Sequence, residues 1–116
     1  MSSTLFILND APYGNERAYN ALRLAAAVAG KEGQHVRMFL MADAVSCAKD
    51  GQKVPEGYYN VQLMLGKIAR KGEVVLCGTC MDARGLRIEE IMEGTRRGTL
   101  AQLADWTVEA DKVLVF

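Results

Sequence analysis

At 116 residues the chain is one domain, long enough to bury a core of its own. Fourteen Lys and Arg balance fourteen Asp and Glu, so no net field steers it to nucleic acid or to an acidic membrane. Half of the residues are hydrophobic, yet no apolar run nears the roughly 20 residues of a membrane span. The first ten residues, MSSTLFILND, carry neither the charged segment nor the cleavage site of a secretory signal. Three cysteines without an export signal point to reduced thiols in the cytoplasm rather than to a disulfide framework.

In chain order, the continuous apolar run Thr4–Leu8 predicts a first strand. Asn9 to Gly14 (NDAPYG) is a loop, because Asn, Asp, Pro and Gly all break regular structure. Asn15 can cap a helix that runs to about Ala29 and stops at Gly30. Ala18, Ala21, Leu22 and Ala25 recur along it at helical spacing, and their small size lets the helix lie close to a sheet. Val36–Met41 predicts a second strand. Asp43 to Gly57 is irregular, with Asp50-Gly51 and Pro55-Glu56-Gly57 as turns and Ser46-Cys47 on a short helical turn. Tyr58 to Arg70 predicts an amphipathic helix with Val61, Met64, Leu65 and Ile68 inward, and Tyr59 and Leu63 outward.

The next stretch, Gly72 to Gly85 (GEVVLCGTCMDARG), organises the rest. Val74-Val75-Leu76 reads as a buried strand, and Cys77 and Cys80 follow at C-x-x-C spacing with Gly78 and Thr79 between them. Asp82, Ala83 and Arg84 can start a helix that Gly85 stops. A cysteine between a strand and a helix lies near unpaired backbone N–H groups, which favour thiolate over thiol. Leu86–Met92 is ambiguous between a strand and a helical turn. Glu93–Gly98 reads as a loop, with Arg96-Arg97 in a solvated turn. Thr99 caps a helix through about Val108, with Leu100, Leu103, Ala104 and Trp106 apolar, and Lys112–Phe116 closes the chain as a strand.

Strands alternating with helices predict an α/β three-layer sandwich, with a mainly parallel sheet of four or five strands flanked by helices. Right-handed crossovers put the loops after the strands on one edge, where ligands bind near the reversal of strand order. That edge is expected to gather Asp10, Pro12, Tyr13 and Gly14, the Ser46-Cys47 turn, and Cys77 to Cys80.

Three stretches of this chain resemble the DsrE/DsrF/TusD-like, or YchN-like, small sulfurtransferases. They are the opening strand with APYGNERAYNALRLAAAVAG, then VVLCGTCMDARG, then GTLAQLADWTVEADKVLVF. The resemblance implies a compact α/β subunit that assembles into trimers or hexamers. It also implies a persulfide carried on Cys77 between a protein sulfur donor and an acceptor. Cys80 stands outside the sulfur-relay pattern and opens dithiol chemistry.

The reactive candidates are therefore Cys77 and Cys80, with Asp10, Pro12, Tyr13, Gly14, Cys47, Gly78 and Thr79 around them. Cys47 reads as structural, and Asp82 with Arg84 as a solvated pair. Cys47, Cys77, Cys80 and His35 supply a zinc set by count. His35, however, precedes the second strand while Cys77 follows the third, about 15 Å away along a parallel sheet. No metal and no cofactor are expected. Three functions stay open: a persulfide carrier, a redox pair cycling a Cys77–Cys80 disulfide, and a non-catalytic oligomeric binding module.

Overall fold

The computed structural model describes residues 2–116. The four strands expected from apolar runs all form: β1 (Ser2–Leu8), β2 (Gln34–Leu40), β3 (Glu73–Cys77) and β5 (Lys112–Val115). The fifth, β4 (Thr95–Gly98), occupies the segment expected to be a loop. Its sequence, TRRG, has no apolar alternation, because it is an exposed edge strand that pairs on one side only. The sheet runs β4-β3-β2-β1-β5 and every pairing is parallel.

Four helices connect the strands: α1 (Arg17–Ala29), α2 (Val61–Lys71), α3 (Gly78–Ala83) and α4 (Leu100–Glu109). Ala18, Ala21, Leu22 and Ala25 of α1 and Val61, Leu65 and Ile68 of α2 bury one face of the sheet. That cluster includes Phe6, Leu8, Met38, Leu40, Val74 and Leu76, alternate residues of the three central strands. Their neighbours Leu5, Phe39, Val75 and Cys77 point to the other face, which Leu103 and Trp106 of α4 cover. Trp106 meets Phe39 edge-on at 6.4 Å between ring centroids. The single domain is thus a three-layer α/β sandwich. One helix covers the α4 face, whereas α1, α2 and Met81 of α3 cover the other.

Local sequence accounts for most helix ends. Asn60 Oδ1 accepts from Leu63 N–H at α2, and Thr99 Oγ1 accepts from Gln102 N–H at α4. Asn15 instead accepts from Arg17 N–H one residue before the first turn, so α1 begins later than expected, behind Glu16. The cap at Asn60 also leaves Tyr59 ahead of α2. Rather than facing outward on a helix, Tyr59 folds back and stacks on Tyr19 at 4.1 Å between centroids. Leu63 does face solvent. The ambiguous Leu86–Met92 segment contains a 3₁₀ turn at Ile88–Glu90, followed by an antiparallel bridge between Ile91 and Lys49.

Candidate functional site

The sheet register sets the place of Cys77. It is the last residue of β3, paired with Gly98 at the end of β4, while Leu76 pairs with Leu40 at the end of β2. Beyond it the chain enters α3 at once, four residues earlier than the expected start at Asp82. Cys77 is itself the N-cap: its sulfur accepts from the backbone N–H of Cys80 at 3.4 Å. Gly85, at φ +64, ends the turn, and Leu86 N–H closes back on Met81 carbonyl at 2.9 Å. Cys77 is buried against Leu5, Phe39, Val75, Leu103 and Trp106, and Cys80 is half-buried beside it.

The thiol chemistry differs from the expectation of a favoured thiolate. Burial pushes the Cys77 thiol up and Cys80 adds to that, against the backbone N–H groups of Cys80 and Thr79, which pull it down. The net direction is upward. Cys47 lies in a 3₁₀ segment, Ala42–Ala48, entered through Ala42 at φ +51. It is wholly buried, its sulfur faces the Asp10 carbonyl at 3.9 Å, and burial pushes its thiol up to about 12. This is a packed cysteine.

The carboxyl edge gathers the expected residues in three groups. Cys77, Gly78, Thr79 and Cys80 form one, at the end of β3 and the start of α3. Cys47 and Asp10 form a second, where Arg17 also pairs with Asp10 at 3.0 Å. Tyr13 and Gly14 line a cavity of about 410 Å³ with Lys53, Pro55, Tyr58 and Tyr59, and neither Cys77 nor Cys80 borders it. The Tyr13 hydroxyl donates to Gln52 Oε1 at 2.6 Å and accepts from Val61 N–H at 3.0 Å. Pro12 is half-buried between the second and third groups in sequence. Strand order along the sheet reverses at β1, two strands from Cys77.

Charged partners that sequence reasoning placed elsewhere surround the C-x-x-C turn. Arg97 leaves β4 to bind Asp82 with both terminal nitrogens, each at 2.8 Å. Arg84 reaches Asp43 at 3.1 Å and donates to the Cys80 carbonyl at 3.2 Å. Asp82 and Arg84 are therefore not a solvated pair with each other, and Arg97 is not in a free turn. Only the recognition of β4 would have found this, and its four residues carry no strand signal. His35 lies at the amino end of β2 against Glu73, 3.2 Å away, at the opposite end of β3 from Cys77. Among the described residues no group of three or more His, Cys, Asp and Glu is placed to hold a metal ion.

Residues 2–116 match the DsrE/DsrF-like family. The chain is 46% identical to Protein YchN of Escherichia coli (strain K12) over 118 residues, covering all of both chains. It is 41% identical over 110 residues to an uncharacterized protein of Methanopyrus kandleri, covering 95% of this chain and 90% of that one. The crystal structure of the E. coli ychN protein superposes with a TM-score of 0.94 at 45% identity, over the full length of both. The family match, the full-length identity and the shared fold converge on one conclusion: this protein belongs to the DsrE/DsrF-like family.

Proposed function

We propose that the protein is a sulfur carrier that holds a persulfide on Cys77. The observation that carries this reading is the C-x-x-C turn itself. Cys77 ends β3 and caps α3, and the next cysteine sits in that same first turn with its N–H on the Cys77 sulfur. Membership of a family associated with sulfur relay supports the same chemistry.

In the loading step the Cys77 thiolate attacks the outer sulfur of a donor persulfide. A new S–S bond forms on Cys77, the donor's S–S bond breaks, and the donor leaves as thiolate. The N–H groups that lower the Cys77 thiol are placed to hold the anionic product. In the delivery step an acceptor thiolate attacks the outer sulfur and Cys77 leaves as thiolate. Cys80 offers a second exit. Its thiolate attacks the Cys77 sulfur, a Cys77–Cys80 disulfide forms, and the outer sulfur departs as hydrosulfide. An external thiol reductant then restores both cysteines. That chemistry suits a reducing compartment, so we place the protein in the cytoplasm. No helix among the described residues is long and apolar enough to cross a membrane.

The carrier works as a homo-oligomer, a trimer or hexamer. The support is the thinly covered α4 face, where Val108 of α4 and Val113 and Val115 of β5 stand exposed beside the Cys77 cluster. The same turn favours a second reading, a Cys77–Cys80 disulfide that shuttles electrons without sulfur. Incubation with a sulfane-sulfur donor separates the two. The carrier gains one sulfur on Cys77, and the redox pair gains none but is oxidised by a disulfide donor. A binding module without chemistry does neither.

A further inference from the structure

Arg97 precedes Gly98, the register partner of Cys77, so the two strands end side by side. Its guanidinium folds back along the surface and stays partly open to solvent, with 44% of the side chain exposed. It lies on Gly78, the residue after Cys77, and occupies the space where a side chain would begin. A Cβ added there would stand 2.6 Å from Arg97 Nε and 2.8 Å from its central carbon. A side chain at 78 would push the guanidinium aside. One peptide step separates Gly78 from Cys77, so the cation lies within about 8 Å of the Cys77 backbone. Asp82, one turn along α3, clamps its outer edge through both terminal nitrogens.

The remaining surroundings of Cys77 are mostly apolar; the further cation on that face, Arg37, lies 5.2 Å from the Trp106 ring centroid and is paired with Glu73 and Glu109. The strands and α4 pack Leu5, Phe39, Val75, Leu103 and Trp106 against it. Arg84, the residue that follows α3, is engaged by Asp43 of the 3₁₀ segment. Cys80 is the other titratable neighbour on its own turn. The guanidinium is held above its ordinary value, first by its hydrogen bond to Asp82 and also by the Cys77 sulfur.

We infer that Arg97 is a positioning residue for Cys77: seated on Gly78, it supplies the positive charge facing the thiolate, and Asp82 both fixes it there and damps it. The inference rests on reading Cys77 as the reactive thiol. It makes the reactivity of Cys77 depend on a strand remote in sequence, and gives Gly78 a reason to lack a side chain.

The test is the pH profile of iodoacetamide alkylation at Cys77 in the full chain, read peptide by peptide by mass spectrometry. Arg97→Gln is expected to raise the midpoint and leave about threefold less thiolate at pH 7, and Asp82→Asn to lower it by a similar factor. Both shifts should shrink at 1 M salt. A purely structural clamp predicts the same direction for both variants, since each breaks it. Equal signs, or no shift in either, would overturn the inference. Sulfur loading is scored separately. Opposed shifts without loading remove the carrier reading and leave this one, whereas loading without opposed shifts does the reverse.

Discussion

The backbone N–H of Cys80 donates to the Cys77 sulfur at 3.4 Å, which binds the two cysteines of the C-x-x-C turn into one unit. Because this contact runs through the backbone of Cys80, it survives a change of the Cys80 side chain, which itself lies beside the Cys77 sulfur. Cys80→Ser is therefore expected to leave sulfur loading on Cys77 intact and to slow release of hydrosulfide at least tenfold. Timed release from the loaded protein checks this, and release as fast as in the parent excludes Cys80 as the resolving thiol.

Cys47 and Cys77 differ in reactivity by their surroundings. Cys47 is fully buried with its thiol pushed up to about 12, so it is expected to alkylate far more slowly than Cys77 at pH 7. Site-resolved alkylation measures the ratio. Comparable rates would mean that the 3₁₀ segment Ala42–Ala48 opens in solution.

Glu73 ties the amino end of β3 to its neighbours. It accepts from Arg37 Nε at 2.8 Å and Arg96 Nη2 at 3.2 Å, and lies 3.2 Å from His35 Nε2. Partial burial pushes its carboxyl up, but those hydrogen bonds outweigh burial and hold it below its ordinary value of 4.5. A carboxyl lowered on folding contributes stability that is whole above pH 4.5 and lost as pH falls through the lower folded value. Glu73→Gln is expected to cost about 1 kcal/mol at pH 7 and little at pH 3. Urea midpoints at the two pH values decide it, and an equal loss at both would contradict the role given to Glu73.

Trp106 is the main anchor of α4. Its ring is 5% exposed, meets Phe39 edge-on and carries the Arg37 guanidinium 5.2 Å from its centroid. Trp106→Ala is expected to destabilise by about 3 kcal/mol in urea unfolding. A loss under about 1 kcal/mol would show that α4 is held by something other than its ring.

How much of this was legible beforehand follows from burial. The strands inside the sheet announced themselves by apolar runs, because both faces of a parallel sheet are covered. The cap at Thr99 followed from its side chain, whereas Asn60 was read as lying inside its helix and Asn15, expected to cap α1, gives way to Glu16. TRRG was unreadable as a strand because its pairing is backbone alone and its arginines find partners on other elements, Glu73 and Asp82. The tyrosine stack was hidden for a related reason. Tyr59 has helical spacing to Leu63 on the outward face, and only the cap at Asn60 places it outside the helix. The place of Cys77 at the end of a strand was legible, but the balance of its environment was not, since the apolar cover from Leu103 and Trp106 comes from a distant helix.

Assembly is tested by light scattering. A subunit of 12.7 kDa is expected to give the mass of three or six copies at micromolar concentration, and Val115→Asp on the exposed face of β5 to lower it. A monomer at that concentration would leave the α4 face without a second copy to cover it.

The most direct measurement is mass spectrometry of the protein after incubation with a sulfane-sulfur donor, with each cysteine peptide resolved. One added sulfur on the Cys77 peptide, absent from Cys77→Ser and retained in Cys80→Ser, is the expected result. No added sulfur on the parent protein, or sulfur still loaded by Cys77→Ser, would contradict the assignment of Cys77 as the carrier.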